Sequence, residues 1–236
     1  MKEFIFKIFK LKQKYLYLLI TLFFFIIAYH HLSSGFRMSS DSNKFSSFAD
    51  NLIKFNFDLY DFFFTLPIFL IALCKILFVD NWQYIFLLLN LTLVFFSMII
   101  FAKTLLIIGV RSSLILITLP LILISVDMLT WPRYILSDMN YAFLVILITY
   151  FMAKGLVEDK FNYLAIFLTL FLILITRPTS ISVIFAIIFF ITISKQLFFL
   201  KPRMILLFTL ILTNSTIMSN KTWVILESAS KIKKLQ

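Results

Sequence analysis

The sequence predicts an all-α fold, a polytopic transmembrane helical bundle of about seven spans with an amphipathic, interfacial segment in the first external loop. Three observations carry that expectation. Hydrophobic residues make up 62% of the 236-residue chain and charged residues only 14%, against about 45–50% and about 25% in an ordinary soluble domain. The apolar residues fall into long runs, with no repeated dyad alternation of the barrel type. The cations gather between those runs and in the two tails, where they set topology and meet anionic lipid.

Other classes are excluded by the same composition. It is too apolar for disorder, and 3 Gly with 5 Pro do not make a collagen-like chain. A single cysteine, Cys74, leaves no disulfide framework and no cysteine-based zinc site. A net charge of +11 would point to nucleic acid in a soluble protein. Here membrane topology accounts for it, and no nucleic-acid partner is expected.

Residues 1–14 carry Lys2, Lys7, Lys10, Lys12 and Lys14 ahead of an apolar run from Tyr15 to Tyr29, with no small-x-small cleavage site behind it. This reads as a retained signal anchor with a cytoplasmic N-terminus, in a multi-pass protein of the plasma membrane, the inner membrane if bacterial. An external loop follows over residues 30–84. After Asp41, Phe45, Phe48, Ala49, Leu52, Ile53 and Phe55 recur at helical spacing, which predicts an amphipathic helix lying on the membrane surface. Further apolar runs cover 62–79, 85–110, 112–130, 139–153, 161–176, 181–199 and 204–218. Residues 1–218 thus form one transmembrane domain, and 219–236 a basic tail.

The run 62–79 decides the topology. If it does not span, there are seven helices, with 12 Lys/Arg inside and 6 outside when the C-terminal tail is left out; if it spans, eight helices place 8 inside and 10 outside. The positive-inside rule favours seven, although counting the tail brings both to 12 and 10. Pro67 and Lys75 within the run also fit a broken or interfacial segment. The 33–84 region, the 131–138 loop and the 177–180 turn then share the external face.

Four residues on that face could carry chemistry. Asp41, in Ser39-Ser40-Asp41-Ser42, is either a helix N-cap or a surface carboxylate fit for general-base work. Asp138, ending Trp131-Pro132-Arg133-Tyr134-Ile135-Leu136-Ser137-Asp138, can cap the next span or act beside Asp41. Arg133 runs against the topology bias and calls for an anion. Arg177, in Thr176-Arg177-Pro178-Thr179, sits where a guanidinium must snorkel or pair, and a lipid-linked phosphate is the specific candidate. His30 and His31 point about 100° apart on a helix, so they cannot readily share one ion. Asp127 could pair with an arginine or reach water, and Asp50, Asp58, Asp61 and Asp80 are expected to be solvated. Glu158 and Asp159 are expected to meet Lys154 or Lys160. Asn-x-Ser/Thr matches at Asn90 and Asn214 lie inside apolar runs and are discounted as glycosylation sites. No P-loop, Rossmann or zinc-protease motif is present.

The order of these features resembles the GT-C superfamily of membrane glycosyltransferases, including dolichyl-phosphate-mannose-protein mannosyltransferase-like bacterial proteins. The likeness runs from about residue 10 to 200: a basic start and first span, a loop with Asp41, the stretch Phe45 to Leu52, a Pro67-led segment, Ser137-Asp138, then Arg177-Pro178-Thr179. The resemblance implies a polyprenyl-phosphate-linked sugar donor, a catalytic Asp41, an Asp138 that orients acceptor or metal, and Arg177 or Arg133 on the donor phosphate. Some such proteins use a divalent metal and others do not, so no cofactor is assigned. Relatives are usually longer, and the chain is expected to be a minimal form, a fragment, or a protein needing a partner subunit.

The expected function is therefore transfer of a sugar from a polyprenyl-phosphate donor to an acceptor on the extracytoplasmic face. Two rivals stand beside it: a polysaccharide polymerase or lipid-linked-sugar flippase of cell-surface assembly, and a non-catalytic membrane subunit. The scarcity of charge at mid-span disfavours transport.

Overall fold

A computed structural model describes residues 13–56, 59–123, 131–159 and 161–194. Asp58, Asp127, Lys160, the run 204–218, the basic tail and most of the N-terminal lysine cluster lie outside the described residues. The described chain is all-helical and falls into two units, divided after Arg177.

The first unit holds α1 (Gln13–Ser34), α2 (Ser40–Ile53), a 3-10 turn (Leu59–Phe64), α3 (Thr65–Leu77), α4 (Trp82–Ile107), α5 (Ser112–Leu123), a short 3-10 turn (Trp131–Arg133), α6 (Asp138–Val157) and α7 (Tyr163–Leu174). Of the second unit, α8 (Ser180–Ser194) is described. Three helices are long and apolar enough to cross a membrane: Tyr15–Ser34, Trp82–Ile107 and Asp138–Val157. At 1.5 Å per residue each reaches about 30 Å or more, the thickness of a hydrocarbon core. Four threonine hydroxyls on these helices are satisfied by the helix backbone. Thr21, Thr92, Thr104 and Thr149 each donate to the carbonyl four residues earlier at 2.8–2.9 Å, the solution open to a hydroxyl where no water is at hand.

Helix direction follows from three contacts. Ala28 near the end of α1 clusters with Leu87 and Leu91 near the start of α4, so those two run antiparallel. The start of α4 also holds the segment that leads into α6, because buried Asn90 donates through Nδ2 to the carbonyls of Pro132 (3.1 Å) and Tyr134 (3.3 Å). Finally, Arg177, just after α7, pairs with Asp138 at the start of α6. The ends of α1 and α7 and the starts of α4 and α6 therefore share one end of the unit.

The run 62–79 lies across this same end. The amide of Leu66, in the first turn of α3, donates to Ile175 O at 3.0 Å, and four residues after Leu77 carry the chain into α4. Both ends of α3 thus stand at one end of the bundle. Pro67 does not break α3; it occupies the first turn, where a helix has no use for the missing N–H.

One expectation is corrected here. The apolar stripe of α2 was expected to rest on the membrane surface. Instead Phe45 and Ala49 are buried against Ile68, Ile71 and Ala72 of α3, with Phe86 and Ile135 completing the cluster. A 14-residue helix rich in Ser and Asp is marginal alone, and α3 offers it a preformed apolar partner. The exposed apolar side is instead on α3, where Phe69, Leu73, Ile76 and Leu77 remain uncovered.

Candidate functional site

The polar residues of the first unit collect at this end. His31, Ser42, Asn90, Arg133, Ser137, Asn140 and Thr176 are all buried there. The two histidines divide as their 100° separation requires, His31 fully buried and His30 exposed.

Arg133 holds the layer together. It is 7% exposed, and its Nε and Nη2 donate to Gly35 O (2.9 Å) and Ser34 O (2.8 Å). Ser34 O is the last carbonyl of α1 and Gly35 O the one after it, both at the end where the helix leaves its carbonyls unpaired and carries the negative end of its dipole. Gly35 makes the approach possible with a φ of +68°, the left-handed conformation that ends many helices. The backbone closes alongside: Arg37 N–H donates to Arg133 O at 3.0 Å, and Arg37 and Tyr134 form a parallel bridge. Burial first, then the charge of Arg37, lowers the Arg133 pKa, while Tyr134 acts the other way; an arginine keeps its proton throughout. Where an anion was expected beside Arg133, the chain's own neutral carbonyls accept two of its hydrogen bonds.

Asp138 and Arg177 satisfy one another. Their side chains are 14% and 19% exposed. Asp138 stands in the first turn of α6 and makes this pair rather than a cap, and Ser137 before it makes no side-chain cap either. Asp41 is not a cap. Ser39 takes that place, its Oγ accepting from Ser42 N–H at 3.1 Å, while Asp41 lies in the first turn of α2, 59% exposed, with Lys44 at 3.3 Å. The fold thus brings α2 to the end that holds Asp138 and Arg177, since its buried Phe45 and Ala49 pack with Ile135, but Asp41 itself faces water. Among the described residues no three His, Cys, Asp or Glu side chains gather as a ligand set. With Asp41 and Asp138 each engaged by a cation, the two acids do not make a fitting divalent-metal site.

Several participants are not among the four residues that the sequence marks as a site. Asp50, expected to be solvated, bonds Lys75 Nζ at 2.6 Å; the same ammonium donates to Ser46 O and Oγ at 2.9 Å and lies 4.9 Å from the Trp82 ring. Buried Asn90 keeps Oδ1 without a hydrogen-bond partner, and Asn140 likewise keeps Nδ2. A lone Asn in an apolar run is the one clue Asn90 offers. The expected Lys154–Glu158 contact is present at 4.0 Å, exposed on both sides.

A groove of about 400 Å³ lies between α1 and α4, lined by α1 from Phe24 to Leu32 and by Leu88, Leu91 and Thr92. None of Asp41, Arg133, Asp138 and Arg177 lines it. No protein family, curated protein or solved structure matches the chain.

Proposed function

We propose that the chain is a seven-span membrane glycosyltransferase of GT-C type, working at the extracytoplasmic end of its bundle on a sugar carried by polyprenyl phosphate. One observation carries the reading: α1 and α7 end, and α4 and α6 begin, at the end where α2 and α3 also lie. A carboxylate-bearing helix and the Asp138–Arg177 pair therefore share one side of the bundle.

In this reading Asp41 takes the proton of an acceptor hydroxyl. The oxygen attacks the anomeric carbon, the bond from that carbon to the phosphate oxygen breaks, and polyprenyl phosphate leaves with the electron pair. Arg177 exchanges part of its contact with Asp138 for the departing phosphate. Arg133 keeps its place on the α1 carbonyls and positions the 131–138 segment.

The test is transfer from a radiolabelled polyprenyl-phosphate sugar by membranes holding the full chain. Loss of a general base or of a charge-stabilising donor costs about 10²-fold or more in turnover, and that drop is expected for Asp41→Asn and for Arg177→Ala. Unchanged turnover in both variants would remove the mechanism. A second reading, a non-catalytic membrane subunit, is favoured by the closed Asp138–Arg177 pair. It predicts no transfer by the wild type and a loss of stability alone in those variants.

A further inference from the structure

We infer that the exposed stripe of α3 is a membrane-seated surface, resting in the headgroup–acyl boundary of the leaflet at this end of the bundle, with α2 as the layer on its water side. Phe69, Leu73, Ile76 and Leu77 follow the spacing i, i+4, i+7, i+8 and are all exposed, so they form one stripe. Ile68, Ile71, Ala72 and Lys75 form a separate stripe, and that one meets α2. The helix α2 is divided in the same way. Its Phe45 and Ala49 meet α3, whereas Ser40, Lys44, Ser47, Asn51 and Lys54 are exposed on the other side. The α2–α3 pair thus has a polar outer surface on α2 and an apolar one on α3. Two such surfaces on one thin unit match a boundary between water and lipid.

Depth selects lipid as the occupant. With 13 residues α3 is about 20 Å long, short of a hydrocarbon core of about 30 Å. Both of its ends stand where α1, long and apolar enough to span, ends and where α4 and α6, equally so, begin. Tyr29 in α1 and Trp82 and Tyr84 at the start of α4 lie at this end, and both tyrosines are exposed. Tyr and Trp gather where lipid meets water. Trp82 fixes the level of α3 directly, its ring 4.9 Å from the Lys75 ammonium. That ammonium leaves the apolar stripe for Ser46 and Asp50 on α2, the direction in which a lysine at an apolar surface reaches for water.

This surface does not depend on sugar transfer, so either assay can fail with the other standing. The experiment is depth-resolved fluorescence quenching on the full chain in phosphatidylcholine–phosphatidylglycerol vesicles. A bimane label is placed singly by Leu73→Cys or Ile76→Cys on the α3 stripe, by Ser47→Cys on the outer side of α2, or by Leu22→Cys, exposed midway along α1. Each is made in a Cys74→Ala background; should that change impair folding, the buried native thiol stays in place and the same comparison is made. Labels on α3 are expected to emit to the blue of the label on α2. They are also expected to be quenched more by lipid brominated near the headgroup than by lipid brominated near the chain ends, and little by iodide present on both sides of the bilayer. The Leu22→Cys label is expected to show the reverse order of bromolipids. The Ser47→Cys label is expected to respond to iodide and not to bromolipid. Iodide quenching on α3 equal to that on α2 would place the stripe in water. A preference there for the deep bromolipid, as at Leu22→Cys, would make α3 a span. Silence to both quenchers would mean that a further segment of the chain or a second copy covers the stripe. Any of these three results would overturn the inference.

Discussion

Replacing Arg133 by methionine separates a structural arginine from a ligand-binding one. Methionine keeps an unbranched apolar stem but gives up both bonds to the α1 terminus, Nε to Gly35 O at 2.9 Å and Nη2 to Ser34 O at 2.8 Å. A bond to a charged group contributes about 1.5–3 kcal/mol net. Two of them bound the loss near 3–6 kcal/mol, and water reaching the freed carbonyls holds it at the lower end. For a domain of this size about 3 kcal/mol corresponds to a fall in Tm of about 6–12 °C. The assay is thermal unfolding of the full chain in one detergent, followed by helical circular dichroism. Arg133→Lys, with a single compact donor group in place of the planar fork, is expected to recover about half of the fall. A shift of less than about 2 °C in Arg133→Met, accompanied by loss of donor binding, would show that the guanidinium serves a ligand and not the α1 terminus.

Four further outcomes follow from the packing. Breaking the Asp138–Arg177 pair from one side leaves a partly buried charge alone, so Arg177→Met is expected to destabilise by about 2–4 kcal/mol and Asp138→Asn/Arg177→Met to recover most of it; equal losses in single and double variants, measured by thermal unfolding, would refute the coupling. A Cβ on Gly155 would overlap the Phe161 ring, so Gly155→Ala is expected to cost about 1–3 kcal/mol despite better helix propensity, and Phe161→Ala in the same chain to relieve it. Phe55 is 96% exposed and holds a φ of +57°; Phe55→Gly is expected to stabilise by about 1 kcal/mol in the same unfolding assay. Lys75→Met removes the contacts that tie α3 to Ser46 and Asp50 of α2, and faster proteolysis between residues 40 and 60 of the reconstituted chain is the expected result.

The helices were legible wherever the determinant is local. The apolar runs after Lys14, from 85 and from 139 read directly as α1, α4 and α6, because hydropathy and length are properties of each segment alone. The helical spacing after Asp41 likewise placed α2, and Pro67 with Lys75 marked a segment unlike its neighbours. Which surface the α2 stripe meets was not legible. Lipid and a neighbouring helix ask for the same apolar residues, and α3 is the partner. Four polar residues were singled out as a site, yet their partners could not be read. Arg133 reaches carbonyls 98 and 99 residues away, and Asp138 meets Arg177 across 39. A charge in an apolar chain announces that it needs a partner; the identity of that partner depends on which helix ends the fold brings together. By itself, then, the sequence determined an all-helical, membrane-type chain with its polar groups confined to loops and helix ends. Tertiary structure decided that α3 lies across one end and that Arg133 serves α1. Burial and periodicity act residue by residue, whereas hydrogen-bond satisfaction at a helix terminus is settled only by what packs against it.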